Sequence, residues 1–344
     1  MDIHTLRIIW FGLIAVLWVG YLVLEGFDFG VGMLLPFLGR NDTERRVLIN
    51  TIGPVWDGNE VWLLTAGGAT FAAFPLWYST LFSAFYLPLL LVLAALIVRG
   101  VAFEYRGKID DDAWRARWDW AIIIGSALPS LLWGVAFGNL LYGVDFENYK
   151  SGPFSVLLHA LNPFSLLTGL VTLSVFALHG SLFLALKTTG ELRERALATA
   201  GRLAIPALAV AGVWAIWTQL AYGKAWTWVP VLVAAAALVG VVLVVRQGRE
   251  GLGFVLTTVT TVMAVVLLFG SMYPTVLPLR GAASLTIDNA SSTHTTLVVM
   301  TWVAVIMTPV VLAYQTWTYW VFRSRLGLGD IPLATGPKRV RSAA

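Results

Sequence analysis

Long apolar runs separated by short polar stretches dominate the pattern of this 344-residue chain. A helix that crosses the hydrocarbon core of a bilayer needs roughly 20 apolar residues. The pattern predicts nine such helices, at residues 8–37, 50–74, 77–98, 119–142, 163–186, 203–222, 226–245, 252–273 and 296–322. The second run is the weakest prediction, because Asp57, Asn59 and Glu60 interrupt it. The expected fold class is therefore all-α, a polytopic membrane protein.

The basic residues give the predicted orientation. If the N-terminus is outside, only Arg7, Lys150, Lys224 and Arg280 of the 23 Lys and Arg residues lie outside, and the other 19 are cytoplasmic. Such an excess of positive charge marks the cytoplasmic side of membrane proteins. We therefore expect an external N-terminus and a cytoplasmic C-terminus. Residues 1–322 are predicted to form one transmembrane helical domain, followed by a short basic cytoplasmic tail at 323–344.

Composition agrees with a membrane location, since 58% of the residues are hydrophobic and only 12% are charged. The chain has no cysteine, which excludes disulfides, thiolate metal sites and cysteine nucleophiles. A net charge of +4 gives little reason to expect a nucleic-acid partner, because membrane topology accounts for the basic residues.

Six ionisable residues are predicted to lie in the cytoplasmic half of the bilayer. They are Glu25, Asp28, Asp57, Glu60, Arg99 and His179. Charges inside a bilayer are costly and usually functional. The spacing of three within each acidic pair places both carboxylates of that pair on one helix face. If the six residues face one another, they form a polar path towards the membrane middle that opens only to the cytoplasm. A proton relay is favoured, with Asp57 as the leading candidate, and ion pairing with a purely structural role is the alternative.

The histidines give weak support for a metal or haem site. His4, His159 and His294 fall in predicted external segments, and no histidine pair has helical spacing. His179 as an axial haem ligand is the one exception to consider. The aromatic stripe at 314–320 is most simply an interfacial belt, and it could also border a quinone or lipid groove.

Three longer sequence motifs are specific enough to indicate a protein family: GFDFGVGM at 26–33, GRNDTERR at 39–46 and WDGNEVWLLTAGGA at 56–69. Arg99 with FEYR at 103–106, GVAFGN at 134–139 and YQTW at 314–317 add support. With these motifs the chain resembles subunit II of the cytochrome bd-type quinol oxidases over most of its length.

The resemblance implies a membrane-bound terminal oxidase of the respiratory chain in the bacterial cytoplasmic membrane. Such an oxidase oxidises quinol and reduces dioxygen to water, and this subunit is not catalytic alone. The haem-bearing subunit I, its partner in a heterodimer, holds two haems b and one haem d. Subunit II binds no haem and no metal, can hold a structural quinone, and is accompanied in some members by a small single-helix subunit.

The resemblance also implies roles for single residues. Asp57 matches the acid associated with a proton path from the cytoplasm, Glu25 and Asp28 match acids of the first-helix motif, and Trp62 lies in the motif associated with the oxygen route. Glu60 stands where some relatives have Gln, which lowers it as a relay member. Two alternatives stay open at this point: a proton-coupled secondary transporter and a purely structural scaffold of the oxidase.

Overall fold

The computed structural model describes residues 1–145 and 153–331. These residues form twelve α-helices. They are α1 (Ile3–Leu38), α2 (Asp42–Ile52), α3 (Trp56–Ala73), α4 (Pro75–Ala84), α5 (Tyr86–Tyr105), α6 (Asp112–Tyr142), α7 (Pro153–Ala160), α8 (Pro163–Lys187), α9 (Gly190–Tyr222), α10 (Trp228–Val245), α11 (Glu250–Met272) and α12 (His294–Val321). Two short 3₁₀ turns, Ala225–Thr227 and Leu328–Asp330, complete the helical elements.

The prediction of an all-α polytopic membrane protein is confirmed. In the described part of the chain, eight helices are long and apolar enough to cross a membrane: α1, α5, α6, α8, α9, α10 with the turn before it, α11 and α12. The second predicted run forms α3, which is 18 residues long and is not among these eight. The charged residues near its start are the reason for its weaker apolar character.

Two of the predicted runs are broken by proline. Pro54 cannot donate a backbone hydrogen bond to the preceding turn, so the chain leaves α2 at Ile52 and restarts as α3 at Trp56. Pro88 likewise leaves the carbonyl of Ala84 without its helical partner, and the third run divides there into α4 and α5. The predicted continuous helices at 50–74 and 77–98 were wrong in this respect.

Other helices extend beyond the predicted runs. The run at 119–142 begins at Asp112 as α6, and the run at 203–222 begins at Gly190 as α9. Hydropathy detects only the apolar part of a helix, whereas its backbone hydrogen bonds continue into water along polar residues. The run at 163–186 was predicted within one residue, as α8 shows. Of the predicted basic tail, only residues 323–331 are described.

Four short strands lie between the helices, at β1 (Val144–Asp145), β2 (Thr275–Leu277), β3 (Leu279–Arg280) and β4 (Leu285–Thr286). β1 pairs with β3 in parallel, with Val144 opposite Leu279. β2 pairs with β4 in antiparallel fashion, with Thr275 opposite Thr286. The β1–β3 ladder joins the two loops that are predicted to be external, and the β2–β4 ladder lies within the second of them.

Helix α1 is central to the bundle and contacts α2, α3, α6, α8 and α11. Its approach to α8 is close because glycines face each other: a Cβ on Gly180 would lie 2.5 Å from Gly30 Cα. Small residues commonly allow such backbone contacts between transmembrane helices. On another side of α1, Glu25 meets Arg99 of α5 and Asp28 meets Asn59 of α3.

Candidate functional site

One face of α1 places three polar side chains in the protein interior. Tyr21, Glu25 and Asp28 have no exposed surface. Their spacings of four and three residues put them one above another along this face. Asp28 is therefore adjacent to Glu25, and Tyr21 lies one turn away on the side that is predicted to be external.

Arg99 of α5 is the counter-ion of this face. Its Nη2 donates a hydrogen bond to Glu25 Oε1, and both side chains are fully buried. The same nitrogen lies 3.4 Å from Glu60 Oε1 of α3, whose side chain is 23% exposed. The guanidinium also faces the rings of Phe29 and Phe103, with its carbon 4.6 and 5.6 Å from the ring centroids. One cation thus lies between a sealed carboxylate and a partly accessible one.

Asp28 is held by an uncharged residue. Asn59 Nδ2 donates to Asp28 Oδ2 at 2.7 Å, and Asn59 has no exposed surface. Asn59 Oδ1 accepts hydrogen bonds from Tyr319 Oη at 2.7 Å and Gln315 Nε2 at 3.2 Å, both on α12. Asp28 of α1 is therefore linked through Asn59 of α3 to Tyr319 and Gln315 of α12.

Several buried polar atoms in this cluster have no hydrogen-bond partner among the described residues. They are Glu25 Oε2, Asp28 Oδ1, Glu60 Oε1, Arg99 Nε, Arg99 Nη1 and Tyr21 Oη. Buried polar groups in proteins are normally satisfied, so a concentration of free donors and acceptors marks a site able to bind water or protons. We call Glu25, Asp28, Asn59, Glu60 and Arg99 the acid cluster.

The structure brings together four of the six predicted relay residues: Glu25, Asp28, Glu60 and Arg99. Asp57 is exposed in the first turn of α3, one helical turn from Glu60, and no hydrogen bond or ion pair among the described residues joins it to these four. A helix turns by about 100° per residue, so Asp57 and Asn59 point to nearly opposite sides of α3. A carboxylate in the first turn also interacts favourably with the helix dipole.

His179 is buried in a different environment. Its Nδ1 lies 2.6 Å from Thr257 Oγ1, and its ring stacks on Phe254 with centroids 4.3 Å apart. Phe27 packs edge-on against the imidazole at 6.0 Å. Among the described residues no ion pair or hydrogen bond joins His179 to the acid cluster, because it contacts a different side of α1.

Trp62 lies on α3 over the N-terminal half of α1. Its ring occupies the space above Gly20, where an added Cβ would come within 2.1 Å of the indole. An apolar cavity of about 430 Å³ opens between α3, α4, α5 and α6. Its lining includes Leu63 and Leu64 of α3, together with Trp18, Trp133 and Phe137. Trp62 itself is not among the lining residues; it packs on Gly20, and its neighbours Leu63 and Leu64 face the cavity.

A second polar network, at the predicted cytoplasmic ends of the helices, is not singled out by the sequence pattern. Asp119 of α6 accepts hydrogen bonds from Arg106 Nε at 2.5 Å and Arg45 Nη1 at 2.8 Å. Glu44 of α2 pairs with Arg195 of α9 at 2.7 Å. These ion pairs fix α2 against the helix bundle beneath the acid cluster. Charged residues near helix ends are common, so their pairing could be detected only in three dimensions.

The described residues contain no group of three or more His, Cys, Asp or Glu side chains arranged to hold a metal ion. The ionisable groups of the acid cluster are carboxylates and a guanidinium, which suit proton exchange and ion pairing. The arrangement can retain a carboxylate in the membrane interior and connect it to a partly exposed one.

The comparisons with known proteins agree on one family. The family model described as "Cytochrome bd terminal oxidase subunit II" matches residues 6–322. The chain is 43% identical to the cytochrome bd-I ubiquinol oxidase subunit 2 of Escherichia coli K12, over 96% of this chain and 98% of that protein. It is 41% identical to the cytochrome bd ubiquinol oxidase subunit 2 of Bacillus subtilis, over 94% and 97% of the two chains.

A solved structure supports the fold. The bd oxidase from Geobacillus thermodenitrificans contains a chain that aligns with a TM-score of 0.76 at 17% identity, over 92% of this chain and 98% of that one. The fold and the site together define a class of protein: a membrane-embedded helical bundle with carboxylates and an arginine in its interior. The chain belongs to the cytochrome bd terminal oxidase subunit II family. It is thus a multi-pass membrane subunit of a respiratory terminal oxidase, in a complex with a subunit I partner and haems, and the transporter alternative is set aside.

Proposed function

We propose that this chain supports the haem-bearing subunit I and supplies it with protons from the cytoplasm for the reduction of dioxygen to water. The observation that carries the proposal is the contact of Arg99 with two carboxylates of different accessibility, the sealed Glu25 and the partly exposed Glu60. Intramembrane ionisable residues of this kind are characteristic of proton pathways.

The acid cluster offers a physical basis for proton movement. Glu60 can exchange with the surface, and Arg99 stabilises the ionised form of whichever neighbouring carboxylate has released its proton. Asp28 lies one helical turn from Glu25 and offers a further acceptor, since its Oδ1 is free of hydrogen bonds. A proton can therefore move among acids that share a single cation.

The exposed face of α3 and α12 supports a direct contact with the partner. On α12 only Leu297 is buried, while Trp302 and Ile306 are 66% and 63% exposed. On α3, Leu64 is 74% exposed on the same helix that carries the exposed Asp57. A carboxylate on a face otherwise suited to lipid is costly, so we infer that subunit I covers this face. Asp57 would then pass protons from this chain to its partner.

The cofactor assignments follow from the same proposal. The two haems b and the haem d belong to subunit I, where quinol is oxidised, and this chain contributes no haem ligand. A structural quinone, a small single-helix subunit and a location in the bacterial cytoplasmic membrane complete the proposed complex. Trp62 is retained as a residue of the oxygen route because Leu63 and Leu64, which follow it on α3, line the apolar cavity between α3 and α6.

Amide substitution of the acids in the complete oxidase tests the proposal. Asp57→Asn, Glu25→Gln and Asp28→Asn should each leave the haem spectrum intact and slow oxygen consumption per haem d. We expect a reduction of about 10- to 100-fold for Asp57→Asn, because an amide cannot release a proton, and a smaller one for the other two. Glu194→Gln, an exposed acid on α9, is the matched control.

Two results would oppose the proposal. Normal turnover in all three variants at full haem content would leave the subunit as a structural scaffold. Loss of the haem spectrum in one variant would assign that residue a role in assembly and remove it from the proton path.

A further inference from the structure

Asn59 uses both ends of its side-chain amide. Its Nδ2 donates to Asp28 Oδ2, and its Oδ1 accepts from both Tyr319 and Gln315. A carboxylate oxygen can only accept, so an ionised Asp28 requires the amide to present Nδ2. The carbonyl end must then face α12, where Tyr319 and Gln315 provide the two donors. The orientation of this one side chain is therefore fixed from both sides.

The contact matters because α12 has few other attachments. Only Leu297 of this 28-residue helix is buried. Near the external end, Trp10 Nε1 donates to Leu297 O at 3.3 Å and to Thr301 Oγ1 at 3.1 Å. Near the other end, the bonds to Asn59 join α12 to α3, and Lys187 of α8 donates to Phe322 O at the end of the helix. The helix with the largest uncovered face is thus bonded directly to a residue that holds an acid of the cluster.

We infer that Asn59 is a positioning residue of the proton path, and that it couples the seating of α12 to the hydrogen bonding of Asp28. This inference rests on the proposed function, in which Asp28 takes part in proton transfer. If α12 shifts when the partner covers it, Tyr319 and Gln315 move the amide, and the amide changes its bond to Asp28. Nothing in this coupling requires Asn59 itself to gain or lose a proton.

Tyr319→Phe in the complete oxidase is the decisive variant, because it removes a single hydroxyl and keeps the ring against Phe27. Loss of one neutral hydrogen bond should lower turnover by about 2- to 10-fold at unchanged haem content. Asn59→Asp, which is nearly isosteric, should lower it by about 10-fold or more, since the bond to a charged group is lost. Tyr314→Phe, on an exposed part of α12, and Asn50→Asp, at an exposed asparagine of α2, are the matched controls.

The second readout is the infrared difference spectrum, in which Asp28→Asn identifies the carboxyl band of Asp28. Tyr319→Phe and Asn59→Asp should shift this band, and both controls should leave it in place. An unshifted band with normal turnover in both variants would overturn the inference, while slow turnover in Glu25→Gln and Asp28→Asn would still support the proposed function. If Asp28→Asn turns over normally, Asp28 lies outside the proton path and the inference is overturned, while slow turnover in Asp57→Asn and Glu25→Gln would still support the proposed function.

Discussion

Arg99 and Glu25 form an ion pair in which neither side chain has any solvent-exposed surface. The pair joins α5 to α1 in the interior of the bundle, and the ring of Phe29 shields the guanidinium from one side. Removing one partner of such a pair leaves the other as an uncompensated buried charge, whereas removing both can be nearly neutral. The pair can therefore be tested separately from its role in proton transfer.

Replacement of the arginine alone should destabilise the protein. We expect Arg99→Leu to lower the free energy of unfolding by about 3–5 kcal/mol, because Glu25 stays buried without its cation. The double variant Arg99→Leu, Glu25→Leu should recover most of this loss while remaining slow in oxygen reduction. The thermal unfolding midpoint of the purified oxidase measures the first effect, and oxygen consumption measures the second.

The control for this experiment is Arg40→Gln. Arg40 pairs with Glu191, but the two side chains are 66% and 64% exposed, and exposed pairs contribute little. If Arg99→Leu unfolds at the same temperature as the Arg40→Gln variant, the buried pair has no structural role.

The contact between α1 and α8 should be intolerant of even one methyl group. A Cβ on Gly180 would lie 2.5 Å from Gly30 Cα, and a Cβ on Gly30 would lie 2.0 Å from Phe176 O. These are backbone atoms, which cannot move aside without separating the helices. We expect Gly180→Ala to destabilise the protein by about 1–3 kcal/mol, measured by thermal unfolding and by the yield of assembled oxidase.

Gly212→Ala provides the matched comparison. Gly212 lies on α9, and an added Cβ there has no atom within 4 Å. Alanine has the better helix propensity, so this variant should be neutral or slightly stabilising. Equal behaviour of the two variants would show that the close approach of α1 and α8 is dispensable.

The sequence predicted the membrane helices well where hydropathy alone decides, as at α8, and less well where backbone chemistry intervenes. Pro54 and Pro88 break helices inside apolar runs, because a missing donor affects geometry without changing hydropathy. The polar starts of α6 and α9 were missed for the opposite reason, since helices continue into water after their apolar residues end.

The candidate site was predicted in part. Spacing along one helix is sufficient to place Glu25 and Asp28 on one face, and both are buried. The choice of partner is a tertiary property: Arg99 could have faced lipid, cytoplasm or the acids. Asn59 was missed as a site residue because an uncharged amide attracts less notice than its charged neighbours Asp57 and Glu60, although it is the residue of the three that α3 buries completely.

Glu44 should give the stability of the protein a dependence on pH. Its burial acts to raise the pKa, but the hydrogen bonds from Arg195 and from the backbone N–H of Arg40 more than offset this and hold the pKa of Glu44 below its ordinary value. Because the folded-state pKa is the lower one, the stabilisation is present above the unfolded value of about 4.3 and is lost as pH falls through the folded value. Glu44→Gln should therefore unfold earlier than the parent at neutral pH.

The thermal unfolding midpoints of the parent and the Glu44→Gln variant should differ less as the pH falls below about 4.3. The difference should vanish once Glu44 of the parent is protonated. The comparison of midpoints over a pH series measures it. A difference that stays constant down to acidic pH would show that Glu44 contributes by packing and not by its charge. Glu194→Gln on α9, which is exposed, serves as the control and should show no such trend.

Asp119 should be the most sensitive acid outside the acid cluster. It accepts from Arg106 and Arg45 at once, and the side chains of Asp119 and Arg106 are 6% and 5% exposed. Asp119→Asn removes the charge that two arginines share, so we expect a loss of about 2–3 kcal/mol in the free energy of unfolding.

The control for this prediction is Asp112→Asn. The carboxylate of Asp112 is 96% exposed beside Arg115, so its replacement should change nothing measurable. Thermal unfolding at low and high salt distinguishes the two cases, because a buried pair is screened less than an exposed one. Equal midpoints for the two variants at both salt concentrations would contradict a structural role for Asp119 in holding α2 and α5 against α6.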